Sequence, residues 1–477
     1  MRPEEISNAM GLMDDEVVME ADRFRKKRRN KNLSWMKWVA AAACICLVLA
    51  AVLGRNKPVM VEAGVIAEPE YPEMTQYPEN WDNEQQTIEK YNDWEEDWKA
   101  QRMQIEGYEN CLDYFVEKTM PQFLSAAGDK NLVYSPVNVY MALSMLAEVT
   151  DGNSRQQILD VLGTENVDEL RDQASAVWNA CYRKDGTVTS VLANSLWLNQ
   201  DIRFRKAVME TLANKYYAAS YCGEMGSAVF DAQLQEWLNT QTGGLLKDQI
   251  ENIDMKPETV LALVTTIYYQ ARWQCEFWEE TTEDVFHGAD GDLNCDFMHQ
   301  SLSRKYYWGD QFSAVAQDLK YSGSMWLILP DEGITVAELA RDREVLELIS
   351  DEQWENCKDM IVNLSMPKFD VSSGMDLSDD LQAMGITDVF DDTVSDFSPL
   401  TSDVENIYVS EAVHAARVMV DEEGCTATAF TEIMMEAGAA EPSGDEIDFV
   451  LDRPFLFVIT NESGLPLFAG VVNQPVE

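Results

Sequence analysis

Histidine is scarce in this chain, whose 477 residues include only His287, His299 and His414. They are far apart, and none belongs to an HExxH motif or to a His/Cys set with metal-ligand spacing. We therefore predict no metal site. GxSxG, P-loop and GxGxxG motifs are also absent, which argues against the common hydrolase and nucleotide-binding sites. We predict that the protein is not an enzyme and uses no cofactor.

CxxC pairs are missing as well. Of the nine cysteines, Cys44 and Cys46 lie in an apolar run near the N-terminus. The others are odd in number and too sparse for the disulfide framework of a small secreted domain. We predict free, buried thiols at these seven positions: Cys111, Cys181, Cys222, Cys275, Cys295, Cys357 and Cys425.

Basic residues are few, with 36 Lys and Arg against 84 Asp and Glu and a formal net charge of −48. The first 57 residues hold 11 basic and 7 acidic side chains, so the remainder holds 25 against 77, or −52. A chain of this charge is repelled by nucleic acid and by anionic membrane surfaces. We predict no nucleic-acid partner.

A basic segment and an apolar run stand close together near the N-terminus. RFRKKRRNK occupies residues 23–31, and WVAAAACICLVLAAVLG, residues 38–54, is 17 residues long without a charge, about the minimum for a membrane span. Because Lys and Arg favour the cytoplasmic side, we predict a cytoplasmic basic tail over 1–37, a transmembrane helix over 38–54 and an extracellular chain beyond it. The alternatives are a cleaved signal peptide with secretion and a nuclear-localisation or nucleic-acid role for the basic segment.

Two regions follow the apolar run. Residues 55–105 mix proline, acidic and aromatic residues, and we predict an acidic extracellular spacer with a helix near Thr87–Gln104. Residues 106–477 are predicted to form one large domain. Helical spacing dominates early, as in CLDYFVEKTMPQFLSAAG, and strand-like segments late, as in PFLFVITNESGLPLFAGVV. This order favours an α+β fold over alternating βαβ units.

Seven motifs occur in order between about Glu109 and Pro475: NLVYSPVNVYMALSML, LANSLWL, LVTTIYYQARWQCEF, SMWLILP, LSMPKFDVSSGMDLSDDLQAMGITDVF, YVSEAVHAARVMVDEEGCTATAFT and DRPFLFVITNESGLPLFAGVV. Together they resemble the serpin superfamily of serine protease inhibitors. The resemblance implies a single large α+β domain with three β-sheets and an exposed reactive-centre loop. It also implies that a protease is trapped when the cleaved loop inserts into a sheet. We expect a bacterial, membrane-tethered and monomeric member.

By similarity, the reactive-centre loop lies within DEEGCTATAFTEIMMEAGAAEPSGDE, residues 421–446. The resemblance implies a proximal hinge at Glu422, Glu423 and Gly424, and an insertion segment over Cys425–Thr431. If that segment became a central strand, alternate side chains would face the core. The inward face would then carry four small, uncharged residues: Cys425, Ala427, Ala429 and Thr431.

The family's spacing from hinge to cleavage site places the scissile bond at Gly438–Ala439. The loop is longer than usual, so the candidates extend over Met434–Ala440. Since the loop contains no Lys or Arg, trypsin-like enzymes are poor partners. We predict an elastase-like or subtilisin-like serine protease as the partner. The alternative is a non-inhibitory surface binding or adhesion module on the same scaffold.

The resemblance also implies two supporting clusters. Ser135, Pro136 and His414 match the shutter, a hydrogen-bonded group beneath the sheet that opens. The asparagine that accompanies them in the family appears here as Gln235. Trp273 and Glu422 match the breach, where insertion begins.

Overall fold

The computed structural model describes residues 64–78, 84–250, 253–350, 354–410, 412–425 and 444–475, all within one compact unit, Glu62–Glu477. The predicted basic tail and the predicted transmembrane helix lie outside the described residues. Among the helices that are described, none combines the length and the apolar character needed to cross a membrane.

Helices dominate the first half of the described chain, as predicted. The longer ones end before residue 242, and each later helix has eight residues or fewer. Short 3-10 turns lie at Met103–Ile105, Ser125–Ala127 and Asp388–Phe390. The helices are α1 (Glu84–Arg102), α2 (Asp113–Leu124), α3 (Pro136–Val149), α4 (Gly152–Leu162), α5 (Val167–Cys181), α6 (Lys206–Lys215), α7 (Ala228–Gln241), α8 (Lys247–Ile250), α9 (Val336–Leu339), α10 (Arg343–Ser350) and α11 (Ser378–Ala383).

The strand-like segments of the sequence form strands, and PFLFVITNESGLPLFAGVV forms a hairpin. The strands are β1 (Gly64–Ala67), β2 (Leu132–Tyr134), β3 (Arg183–Lys184), β4 (Thr189–Asn199), β5 (Ala218–Gly223), β6 (Leu261–Arg272), β7 (Thr282–Gly288), β8 (Gly291–Trp308), β9 (Phe312–Asp318), β10 (Ser324–Pro330), β11 (Cys357–Pro367), β12 (Phe369–Asp376), β13 (Val413–Val420), β14 (Gly424–Cys425), β15 (Glu446–Val450), β16 (Phe455–Thr460) and β17 (Pro466–Val472).

Two hydrogen-bonded paths connect these strands. One sheet has the order β1-β5-β4-β6-β14-β13-β12, with β3 paired to β4. The other path is β15-β11-β8-β9-β10-β16-β17-β2, with β7 paired to β8. Only the short ladder Tyr306–Trp308 with Ser313–Val315 joins β8 to β9, so this path consists of two sheets linked through β8. The predicted single α+β domain with three β-sheets is confirmed.

Helix α3 lies between the sheets, and its sequence accounts for its position. Pro136 occupies the first turn, where the missing N–H costs nothing, and Ser135 caps the helix by accepting from the Asn138 N–H (3.3 Å). Nearly every residue of α3 is buried, because β6 of the eight-stranded sheet lies on one side and β17 on the other. A helix that is apolar all round belongs in such a core.

Helix α7 covers the opposite face of the eight-stranded sheet. Phe230 and Leu234 of α7 pack with Trp197 of β4 in a second apolar cluster. Val264 of β6 and Ala415 of β13 pack against the same cluster. Helix α7 therefore lies over β4 and β6, and the apolar cluster beneath it extends to β13.

The stretch predicted to be a spacer carries ordered structure on the domain. Strand β1 pairs with β5 and extends the eight-stranded sheet by one strand. A helix was predicted near Thr87–Gln104, and α1 covers Glu84–Arg102. Trp94 of α1 is fully buried and donates from Nε1 to Asp185 Oδ2 (2.8 Å). Residues 64–78 and 84–102, here called the N-terminal extension, are thus fixed to the body of the domain.

Candidate functional site

The predicted hinge forms a tight turn between β13 and β14. The Asp421 carboxylate accepts hydrogen bonds from the backbone N–H groups of Glu423 (2.9 Å) and Gly424 (3.1 Å). The Asp421 N–H donates in turn to the Gly424 carbonyl (3.1 Å). Aspartate favours such turns because its short side chain reaches backbone donors two and three residues on. The turn reverses the chain and sends it back into the sheet.

Strand β14 occupies a place between two longer strands. Gly424 pairs with Arg272 and Cys425 with Ala271 of β6, while Cys425 also pairs with Val420 of β13. Because β14 is antiparallel to both neighbours, β6 and β13 run parallel, and β14 lies between their C-terminal ends. Past Cys425, no backbone ladder joins β6 to β13 in the part of the chain that the structure describes. We call the space between these two strands the slot.

Glycine is the only residue type that fits at position 424. A Cβ at Gly424 would overlap the carbonyl oxygen of Ala271 and lie 2.8 Å from the Arg272 Cα. Real Cβ atoms do not approach backbone atoms so closely, so the absence of a side chain lets β14 pair with β6. Cys425, the next residue, is 1% exposed, and burial raises the pKa of its thiol.

The predicted breach residues surround this turn. The Trp273 indole Nε1 donates to the Asp421 carbonyl (2.9 Å), and the Trp273 N–H donates to the Glu423 carbonyl (3.0 Å). The Phe277 N–H donates to the Glu422 carbonyl (3.2 Å), and the Glu422 carboxylate pairs with Lys368 (2.5 Å). The structure thus brings Trp273 and the predicted hinge together, mostly through backbone groups.

The predicted shutter residues also come together. The Ser135 N–H donates to His414 Nε2 (3.0 Å), and Pro136 begins α3 beside them. His414 is buried at the start of β13, and burial lowers its pKa to about 4. The imidazole is therefore neutral, with Nε2 unprotonated and accepting.

Sequence reasoning missed Asn138, which extends this cluster to the other side of the slot. Its Nδ2 donates to the Thr265 carbonyl of β6 (3.4 Å), while its Oδ1 is buried without a hydrogen-bond partner among the described residues. The N-terminus of α3 thus contacts β13 through Ser135 and β6 through Asn138. Asn138 is the second residue after the SP pair at a helix start, and this spacing is the sequence signal that could have indicated it. Gln235, expected from the resemblance as the partner, donates instead to the Ile253 carbonyl (3.1 Å).

The remaining predicted site residues lie outside the described residues. These are the insertion residues Ala427, Ala429 and Thr431 and the scissile pair Gly438 and Ala439. The seven cysteines after residue 57 are free thiols, of which Cys181, Cys295 and Cys425 are buried and the others half-buried. Within the described ranges, no group of three or more His, Cys, Asp or Glu side chains could hold a metal ion.

Comparisons with known proteins agree with this architecture. A family model described as Serpin (serine protease inhibitor) matches residues 113–475. Serpin-ZX of Arabidopsis thaliana is 28% identical over 373 residues, which cover 74% of this chain and 94% of that protein. Plasminogen activator inhibitor 1 of Sus scrofa is 29% identical over 385 residues, which cover 76% and 91% respectively.

Solved structures show the same fold. The thermophilic serpin Tengpin in its native state is similar with a TM-score of 0.68 and 24% identity, over 77% of this chain and 94% of that chain. Thyroxine-binding globulin in complex with thyroxine is similar with a TM-score of 0.65 and 23% identity, over 78% and 100%. At these identities the likeness concerns the fold alone.

The contact at Gly424 yields the first prediction. Gly424→Ala should destabilise the protein by about 1–3 kcal/mol and displace β14, because the new methyl group overlaps the Ala271 carbonyl. Chemical denaturation will measure the loss, and alkylation of Cys425 followed by peptide mass spectrometry will measure the displacement. Gly444→Ala is the matched control, since a Cβ there meets nothing within 4 Å. Equal stability and equal alkylation of Cys425 in the two variants would contradict the close contact between Gly424 and the Ala271 carbonyl.

The buried imidazole yields a pH prediction. The pKa of His414 is about 4 in the folded protein against an ordinary 6.5, so the unfolded chain takes up the proton first as the pH falls. The stabilisation is complete above pH 6.5 and is lost between pH 6.5 and 4, by about 3 kcal/mol in total.

Urea denaturation at a series of pH values will test this, with His414→Gln as the reference. Glutamine can accept from the Ser135 N–H but does not titrate. The wild-type free energy of unfolding should therefore fall more steeply than that of His414→Gln over this range. If the free energy of unfolding falls equally steeply with pH in both proteins, the titration of His414 does not account for the loss of stability between pH 6.5 and 4.

Proposed function

The chain belongs to the serpin family, and from this premise we propose that it is a suicide inhibitor of serine proteases. The observation that carries the proposal is β14, since the first two residues after the hinge turn already lie between β6 and β13. A loop that begins in the slot needs only to continue along it.

The register of β14 supports the predicted inward face. Continued without a shift, it would set Ala427 beside Tyr269 and Val418, which are both 4% exposed. Ala429 would follow beside Ala416, which is also 4% exposed. Directly paired residues share a face of the sheet, so these small side chains would enter the core beneath the sheet, where a long or charged one would not fit.

The same register gives Thr431 and Phe430 specific neighbours. Thr431 would arrive between Thr265 and His414, next to the unpartnered Oδ1 of Asn138. Its hydroxyl is a suitable donor for that oxygen. Phe430 would lie on the outer face beside Ala415, which packs against the apolar cluster under α7, so a bulky apolar residue suits this position.

The energetics favour insertion strongly. About a dozen loop residues would exchange water for ladder hydrogen bonds at about 1 kcal/mol net for each bond. The total, on the order of 10 kcal/mol, is comparable with the stability of a whole domain. The native protein therefore stores the free energy that the trap requires.

The proposed trap acts during proteolysis. The protease serine hydroxyl adds to the Gly438 carbonyl carbon and gives its proton to the protease histidine. The Gly438–Ala439 bond then breaks, the Ala439 amine takes that proton, and Gly438 remains as an ester of the serine. Insertion of residues 426–437, which continue β14, would carry the ester about 40 Å along the sheet. If insertion precedes hydrolysis, the protease stays covalently bound.

The sequence of the loop indicates the partner and the place of action. The absence of Lys and Arg, with Gly, Ala and Met around the scissile bond, suits the small apolar primary pocket of elastase-like or subtilisin-like enzymes. The basic segment and the apolar run over residues 38–54 favour display of a single-pass membrane protein with its inhibitor domain outside the cell.

A second candidate is a non-inhibitory binding module, because the same fold occurs in thyroxine-binding globulin.

The experiment that separates the two candidates incubates the full chain in detergent with an elastase-like serine protease, and with trypsin as the control. We expect a complex that survives denaturing electrophoresis and a released peptide that starts at Ala439, with elastase only. Cleavage without a complex, and without a rise in the melting temperature of the cleaved protein, would favour the binding module.

The predicted register is tested by moving one charge across the strand. Ala427→Glu should turn the inhibitor into a substrate, with the ratio of cleaved to complexed protein rising more than about tenfold, because the carboxylate would be buried beside Val418. Thr428→Glu adds the same side chain to the neighbouring position on the outer face and should inhibit normally. Stable complexes with Ala427→Glu would refute the register.

A further inference from the structure

The N-terminal extension precedes the family match, which begins at residue 113, yet it forms a large aromatic cluster on the domain, in which Trp94 is buried and the other rings are half-buried. Trp94 and Trp98 of α1 stack with ring centroids 5.7 Å apart. Both are edge-on to Tyr321, at 5.0 and 6.5 Å, and the ring of Tyr77 lies 5.5 Å from that of Tyr321. Three residues of the extension thus enclose one side chain of the turn between β9 and β10.

A buried ionic network anchors the extension at this place. The Asp185 carboxylate that accepts from Trp94 also pairs with Arg183 (2.8 Å), and Arg183 pairs with Glu462 in the turn between β16 and β17 (2.8 Å). Arg183 is 4% exposed and donates from Nη1 to the Tyr321 carbonyl as well. Tyr321 is therefore held from the ring side by the extension and from the backbone side by Arg183.

The backbone of Tyr321 is in the left-handed region, with φ of 56°. A bulky residue adopts this conformation rarely, and it persists only where the surroundings enforce it. The turn is closed by a hydrogen bond from the Leu319 N–H to the Gly323 carbonyl (2.9 Å). In this conformation Tyr321 contacts the aromatic cluster through its ring and Arg183 through its carbonyl.

This turn is bonded directly to the end of β6 at which the loop begins to insert. The Lys320 N–H donates to the Arg272 carbonyl (2.8 Å), and Leu319 forms an isolated bridge with Trp273. Arg272 is the residue that pairs with Gly424, and the Trp273 N–H donates to the Glu423 carbonyl. A short chain of backbone contacts therefore links the cluster around Tyr321 to the hinge.

We propose that Tyr77, Trp94 and Trp98 are positioning residues for the reactive loop, which hold Arg272 and Trp273 where β14 pairs by fixing the turn at Tyr321. The inference rests on the proposed function, in which β14 is the start of the inserting strand. It assigns the extension a role in the trap in addition to any role as a connection to the membrane.

The rate at which Cys425 reacts with a thiol reagent measures how firmly β14 is held in the sheet. A thiol that is 1% exposed reacts only when β14 leaves the sheet. We expect Trp98→Leu in the full chain to raise the rate of Cys425 alkylation by N-ethylmaleimide about two- to tenfold, as the loss of aromatic contacts predicts. Peptide mass spectrometry reads each cysteine separately, and Cys295, buried in β8, should keep its wild-type rate. Tyr77→Leu, which leaves both tryptophans in place, should act in the same direction.

Tyr71→Leu is the matched control within the extension. Tyr71 packs on Trp178, Tyr182 and Tyr217 at ring distances of 5.1, 5.4 and 6.4 Å, so its loss should leave the Cys425 rate unchanged. An unchanged Cys425 rate in both Trp98→Leu and Tyr77→Leu would overturn the inference, as would an equal increase in Tyr71→Leu. Alkylation needs no protease, so failure here is distinct from failure to form a covalent complex, which would count against the proposed function instead.

Discussion

Two backbones make close contact at the end of β6, and this contact places the start of the loop between two strands. Gly424 touches the Ala271 carbonyl without an intervening side chain, and this contact lets a two-residue strand lie between β6 and β13. Both neighbours run parallel, so a chain that enters between them can pair antiparallel with each. The turn at Asp421 and the hydrogen bonds from Trp273 keep the loop at this point.

Polar groups lie beneath the slot. Unlike a purely apolar core, they could form hydrogen bonds with a strand that inserts there. His414 accepts from Ser135, Asn138 donates to Thr265, and the Asn138 Oδ1 lacks a partner among the described residues. A buried acceptor without a partner costs about 1–3 kcal/mol. If the loop inserts as proposed, Thr431 would relieve this cost, and the gain would add to the backbone free energy of insertion.

In our proposal, residues that precede the family match take part in the trap. Trp94 and Trp98 would act through the turn at Tyr321, because this turn is hydrogen-bonded to the end of β6. A helix was predicted near Thr87–Gln104, but the sequence did not indicate whether its aromatic residues would face solvent, a membrane, a partner or the body of the domain. The contact between Tyr77 and Tyr321 joins residues 244 positions apart, and no local pattern encodes it.

Local structure and the chemistry of the loop could be predicted from the sequence. The SP pair before an apolar run indicates the start of α3, strand-like apolar segments predict β4 and β6, and small residues on alternate positions after Gly424 mark a segment able to enter a sheet. The contacts between distant residues could not be predicted in this way. Asn138 donates to β6, Gln235 donates to the Ile253 carbonyl and not to the shutter, and the extension packs on Tyr321. The physical reason is that periodicity and capping depend on neighbours within a few residues, whereas these contacts depend on which distant surfaces the packed sheets bring together.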